Sequence, residues 1–267
     1  MIVKKSSEEV ERIAASGRIL ARCLSLLSSK ARPGVTTGEL DAAAEKFIRS
    51  QRAEPAFKGY RGFPGSICAS PNSMIVHGIP DRGKLKRGDI LSIDVGVVFD
   101  GWVADAAITI PIGPVSAVAR QLLATTRAAL GDAVDQCRSG NRLGDIGHAV
   151  QARVEADGFA VVRSLVGHGI GRNMHEDPQI PNFGAAGTGV ELSEGMVLAI
   201  EPMVNVGGHE VRLGDDDWAV FSQDGSLTAH FEHTVAVTAN GPRILTPWHD
   251  QDASEHRSRG DAARARA

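Results

Sequence analysis

No stretch of this 267-residue chain is apolar for long enough to span a bilayer, and no short hydrophobic core of the kind that precedes a cleavage site appears near its start. The first residues, MIVKKSSEEVER, read as the opening of a polar helix. The expectation is a cytoplasmic protein with no membrane partner. Cysteine is scarce as well. Cys23, Cys68 and Cys137 make neither a disulfide framework nor a CxxC zinc pattern. Charge of one sign is also lacking. Lys and Arg number 29 against 32 Asp and Glu, a net charge of −3, so no whole-chain field draws nucleic acid or an anionic surface. What is present is ordinary for a soluble globular protein, 42% hydrophobic and 23% charged residues. The length suits one or two domains.

The most informative stretch is Ser92 to Asp105, SIDVGVVFDGWVAD. Ile90 to Phe99 is rich in β-branched residues, Asp100-Gly101 is a two-residue turn signal, and Trp102 to Ile110 runs back. A tight turn pairs Phe99 with Trp102 and sets Asp105 opposite Gly96, with Asp94 two residues further along the same face. Diagonal neighbours of this kind lie roughly 7–8 Å apart between backbones. Two carboxylates at that spacing can hold metal between them, with Gly96 leaving room beside Asp105. Two acids on a strand are also what a solvated sheet face carries, so the hairpin alone leaves both readings open.

The rest of the chain repeats itself. Capping boxes at Ser6–Glu9 and Thr36–Glu39 open two helices. The first carries Val10, Ile13, Leu20, Leu24 and Leu27 on one stripe, and the second Leu40, Ala43, Ala44, Phe47 and Ile48. A Gly- and Pro-rich loop over 57–65, the segment 66–76, HGIP at 77–80 and the hairpin follow, and Gly113-Pro114 closes the unit. A helix from about Ser116 to Gln136 begins it again. CRSGNRLGDIGHAV lies over ARPGVTTGELDAAA at an offset of 106, matching Gly34 with Gly140, Gly38 with Gly144 and Glu39 with Asp145. VHGI at 76–79 matches GHGI at 167–170, RGDILSID at 87–94 matches EGMVLAIE at 194–201, and DAAITI at 105–110 matches EHTVAV at 232–237. Matches in a shared order imply a duplicated structural unit. The expected fold class is α+β, with two similar halves, 1–113 and 114–248, about an approximate two-fold axis. Met203 to Ala229 is an excursion in the second half where the first has only a turn. From His249 onward apolar periodicity is missing, and 249–267 is expected to be a disordered tail.

Overlaying the halves collects Asp94, Asp105, His168, Glu201 and Glu232, with His77 as the counterpart of His168. Four clustered carboxylates repel one another unless protonated or neutralised, and two divalent cations carry the compensating charge. A carboxylate-rich set with one imidazole suits Co, Mn, Fe or Zn. Two such ions point to hydrolysis at an acyl carbon or at phosphorus.

Beyond this, GHGIGRNMHEDPQIPNFG, EGMVLAIEPMVNVG and HFEHTVAVT, with the spacing of eleven from Asp94 to Asp105, resemble the type I methionine aminopeptidases over roughly residues 2–247. The resemblance implies the pita-bread fold in a single catalytic domain over 1–248. It implies removal of the initiator methionine from nascent proteins with a small second residue, by dinuclear-metal hydrolysis of the first peptide bond. It assigns Asp94 to one metal, Asp105 and Glu232 to both as bridges, and His168 and Glu201 to the other. Glu201 is also the implied proton shuttle, and His77 and His175 the implied contacts to substrate. Tyr60, Phe63, Cys68, His77, Met174 and Trp218 match the wall of the methionine pocket, where sulfur and aromatic groups suit an unbranched thioether. Backbone oxygens near Asn72 and the hydroxyl of Thr228 match a monovalent-cation site. The implied partners are nascent polypeptide N-termini, with the ribosome a further candidate, and the implied state is a monomer.

Several positions depart from the family pattern. Phe57 stands where a small residue or cysteine is usual, Arg61 where histidine is common, Val103-Ala104 where His-Gly precedes the aspartate, and His230 where glutamine is expected. None removes a ligand. Phe57 and Arg61 bear on pocket size and substrate range, and His230 bears on the groups behind the metal ligands. Two rival readings are a proline-cleaving peptidase of the same fold and a binding module that kept the fold without catalysis.

Overall fold

The computed structural model describes residues 1–248, so the expected tail from His249 lies outside the described residues. The first half runs α1 (Ser7–Lys30), α2 (Thr37–Ser50), β1 (Glu54–Pro55), β2 (Cys68–Pro71), β3 (Met74–Val76), β4 (Ile90–Phe99) and β5 (Trp102–Pro111). The second runs α3 (Ala117–Asp135), α4 (Leu143–Ala156), β6 (Ala160–Val161), β7 (Val166–Gly169), β8 (Glu176–Pro181), β9 (Val197–Ile200), β10 (Met203–Asn205), β11 (Val211–Leu213), β12 (Val220–Ser222), β13 (Thr228–His230), β14 (His233–Thr238) and β15 (Gly241–Ile244). Both capping boxes form as the sequence requires. Ser6 accepts from Glu9 N and Thr36 from Glu39 N, while each glutamate reaches back to its cap N–H. The apolar stripe of α1 is buried against β4 and β5, with Leu20, Leu24 and Leu27 fully enclosed. Each such side chain contributes about 1.5–3 kcal/mol.

The glycines that carried the repeat do the same work in each half. Gly34 and Gly140 turn the chain ahead of α2 and α4 at φ +92° and +93°, a region costly for other residues. Gly38 and Gly144 lie in the first turn of those helices, and a Cβ on either would come within 2.8 and 2.3 Å of the carbonyl oxygens of Asp81 and Ala185. The counterpart of the Thr36 cap is Arg142, whose N–H donates to Asp145 Oδ2 at 2.7 Å. Only this half of the exchange survives, because arginine has no side-chain acceptor to return it. Thr36 bridges Lys84, and Arg142 bridges Glu191, as isolated antiparallel pairs.

The β4–β5 hairpin has the expected register, Phe99 opposite Trp102 and Gly96 opposite Asp105. In the second half β9 and β14 pair antiparallel, with Ile200 opposite His233. The excursion between them is not loop. It holds β10 to β13, and β12 crosses to pair with β3 of the first half.

The two halves meet along β5 and the chain from His230 to Thr234. Thr234 Oγ1 accepts from Asp105 N at 3.0 Å and donates to Asp105 O at 2.8 Å. Glu232 N donates to Ala107 O at 2.9 Å. Thr109 Oγ1 accepts from His230 N and donates to His230 O, both at 2.8 Å. Side-chain hydroxyls thus satisfy buried backbone groups that a regular ladder would pair, as buried polar groups require. Replacing Thr234 by Val keeps the shape and removes this bridge. Thr234→Val is expected to lower unfolding stability by about 1–3 kcal/mol, read from the urea midpoint at unchanged slope.

Candidate metal centre

The seam decides where the acids go. Asp105 lies opposite Thr234 and Ala107 opposite Glu232, so Asp105 and Glu232 are diagonal neighbours across it. On the second-half side His168 of β7 lies opposite Ala199 of β9, and Ala199 opposite Thr234 of β14. His168 is therefore two strands away from the same point. Ligand atoms of Asp105, His168 and Glu232 all lie within 4.8 Å of one another. Glu201 follows β9 directly, and its Oε1 is 3.7 Å from His168 Nε2. Asp94 sits in β4 directly opposite Cys68 and shares a hydrogen bond with Asp105. The sequence-derived set of five is gathered around one point, with three at the centre and Glu201 and Asp94 flanking it.

Electrostatics mark the cluster as built for cations. Burial, then Asp105 and Glu201, hold the Asp94 carboxyl well above its ordinary range. Burial and Asp105 do the same for Glu201, and burial with the neighbouring acids for Glu232. Burial lifts Asp105 to about 7. Asp94 Oδ1, Asp105 Oδ1 and Glu232 Oε1 are buried with no hydrogen-bond partner. Unpaired carboxylate oxygens cost several kcal/mol each when charged, and a bound divalent ion removes that cost. His168 fits the same purpose. Its Nδ1 bonds Gly169 O at 2.9 Å, and because a carbonyl can only accept, Nδ1 carries the proton. Burial keeps the ring neutral, so Nε2 offers a lone pair toward the acids. The donor set fits divalent metal.

The cluster forms one end of a cavity of about 290 Å³. Tyr60, Phe63, Cys68, His77, His175 and Trp218 line it. Phe63 and Trp218 meet edge to face at 5.1 Å. Tyr60 Oη lies 2.8 Å from His175 Nδ1, and the His175 ring packs 4.3 Å from that of His168. Burial, then His168, Arg61 and His77, lowers His175 to about 4, so it is neutral at pH 7. His77 is exposed at φ +60°.

Some expectations are relocated. Met174 does not line the cavity. A Cβ at Gly96 would come within 2.7 Å of Met174 Cε and 2.8 Å of the Phe57 ring. Gly96 thus makes room for these two side chains, rather than for Asp105. Asn72 and Thr228, matched above to a monovalent-cation site, are neighbours. They are joined through Thr228 N and Asn72 O at 2.9 Å, and the Thr228 hydroxyl is buried without a partner. Of the departures, Phe57, Arg61 and His230 line the cavity, while Val103 and Ala104 are buried in β5 away from it. The Arg61 guanidinium lies 5.4 Å over the Tyr60 ring. Leu165 and Met203 complete the apolar wall. Neither was singled out from sequence, although each lies within three residues of a ligand, His168 or Glu201.

The raised carboxyl pKa values carry a sign. At pH 6 the metal-free cluster holds protons that a metal must displace, so binding releases them. Release is expected to fall as pH rises through about 7, because Asp105 then gives up its proton unaided. Calorimetric titration of the metal-free protein with Mn²⁺, in buffers of differing ionisation heat at pH 6 and pH 8, measures this directly.

Comparison with known proteins agrees with this geometry. The model of metallopeptidase family M24 matches residues 11–239. A methionine aminopeptidase of Clostridium perfringens is 50% identical over 246 residues, 92% of this chain and 99% of the relative. The crystal structure of methionine aminopeptidase from Rickettsia prowazekii superposes with a TM-score of 0.91 at 41% identity, covering 92% of this chain and all of that one. A prolidase from Pyrococcus furiosus, 23% identical with a TM-score of 0.74 and 65% of its length covered, shares the fold alone. The architecture is the α+β pita-bread fold, and the chain belongs to metallopeptidase family M24, with a carboxylate–imidazole cluster suited to the divalent metal that the family name implies.

Proposed function

We propose that this protein is a methionine aminopeptidase, releasing the N-terminal methionine of nascent polypeptides whose second residue is small. The observation that carries the reading is a cavity with two unlike ends. Acids and His168 crowd one end, and Tyr60, Phe63, Cys68 and Trp218 wall an apolar recess beside it. A free α-amine lies favourably against the acids, a thioether side chain fills the recess, and a blocked amine is excluded. Residues 1–248 act as one catalytic domain, in the cytoplasm and as a monomer.

Asp94, Asp105, His168, Glu201 and Glu232 would hold two divalent ions, with Co, Mn, Fe and Zn as candidates. Such ions supply Lewis acidity and a nucleophile at neutral pH. The remaining work belongs to side chains. Glu201 takes a proton from the attacking water and delivers it to the leaving amine. Neutral His175, oriented by Tyr60, hydrogen-bonds the scissile carbonyl as charge develops there, with His77 in the same cavity as a second contact to substrate. The unpartnered Thr228 hydroxyl and the carbonyl of Asn72 would hold a monovalent cation that braces β13.

A prolidase reading has only the shared fold behind it, and a binding module would have no use for all five ligands. Methionine release from Met-Ala-Ser but not from Leu-Ala-Ser or acetylated Met-Ala-Ser is the expected result for metal-reconstituted protein. Glu201→Gln should lower kcat by about 100-fold or more. No release with any of Mn, Fe, Co or Zn would overturn the proposal.

A further inference from the structure

His230 lies in the cavity wall and has no part in the mechanism above. Its backbone is clamped through N–H and C=O by the Thr109 hydroxyl. The residue is 1% exposed, and both ring nitrogens lack a partner. A buried polar group left unpaired is costly, so this imidazole should have a use. Its Nε2 faces Glu201 Oε2 at 3.6 Å, while His168 Nε2 faces the other oxygen, Oε1, at 3.7 Å. Glu201 thus lies between two imidazoles, one facing each oxygen.

The two rings are not equivalent. His168 has its Nδ1 proton on Gly169 O and its Nε2 within the cluster shared with Asp105 and Glu232. His230 stands outside that cluster. We propose that His230 is a positioning residue. Its Nε2–H donates to Glu201 Oε2 and fixes the carboxylate with Oε1 on the His168 side. A small rotation of either side chain brings 3.6 Å within hydrogen-bond range. Ligating carboxylates are commonly held by such outer hydrogen bonds, and losing one costs about 10–100-fold in metal affinity. The inference rests on the reading of Glu201 as a metal ligand.

The test is calorimetric titration of metal-free full-length protein with Zn²⁺ and with Mn²⁺, for wild type, His230→Leu and His230→Gln. Leucine removes the donor, while glutamine keeps an N–H in the same region and is a poor ligand. His230→Leu is expected to weaken binding of one of the two ions by about 10–100-fold, and His230→Gln to restore it. Equal losses in both variants would make the imidazole itself a ligand and overturn the positioning role, and no loss in either would remove the role altogether. Nitrogen-15 spectra of histidine-labelled, Zn-loaded wild type need no variant. A proton on Nε2 of His230 supports the proposal, and a proton only on Nδ1 overturns it. Neither readout uses peptide cleavage, so failure of the aminopeptidase reading and failure of this one are told apart.

Discussion

Four carboxylates brought to one buried point repel one another, and the rest of the structure is arranged to hold them there. In the bare chain protons meet the conflict: burial raises the pKa of all four, and neighbouring acids raise Asp94, Glu201 and Glu232 further. Divalent cations meet it better, because they neutralise the charge and use the lone pairs left without partners. The fold's task is to stop the acids from moving apart. It does so by placing them on paired strands from both halves and locking the seam with Thr109 and Thr234.

That seam explains why a duplicated unit suits such a site. Each half alone offers two acids in or at the ends of neighbouring strands, Asp94 and Asp105 or Glu201 and Glu232. Bringing the halves edge to edge doubles the negative charge without lengthening any strand. The halves then diverge where chemistry needs asymmetry. His168 lies within a strand that pairs with β9, deep in the cluster, whereas His77 follows β3 at a left-handed turn in the cavity mouth. One histidine lies among the acids and its counterpart lines the cavity without joining them.

The departures from the family pattern are unequal in consequence. Val103 and Ala104 are core side chains of β5 outside the cavity lining, and Val103 N bonds Gly171 O at 2.8 Å. Phe57 and Met174 pack into the space that Gly96 leaves, while Phe57 also lines the cavity. Arg61 rides on Tyr60 at the rim and adds a positive charge near His175, which helps to keep that imidazole neutral.

Much of this was legible in the residues. The hairpin register followed from Asp100-Gly101, because a two-residue turn leaves only one pairing, and both glutamate capping boxes followed from local hydrogen bonding. The repeat was readable because Gly34, Gly38 and their partners answer local backbone demands that no other residue meets as cheaply. Family motifs then named the five candidate ligands. What the sequence could not carry was anything set by contact between segments far apart in the chain. The pairing of β12 with β3, the displacement of Met174 behind Gly96 and the clamp of Thr109 on His230 depend on strands more than a hundred residues apart or on side chains competing for one space. Local chemistry determined which residues could serve. Only the tertiary structure decided which atoms face one another, because burial and distance are properties of the packed chain.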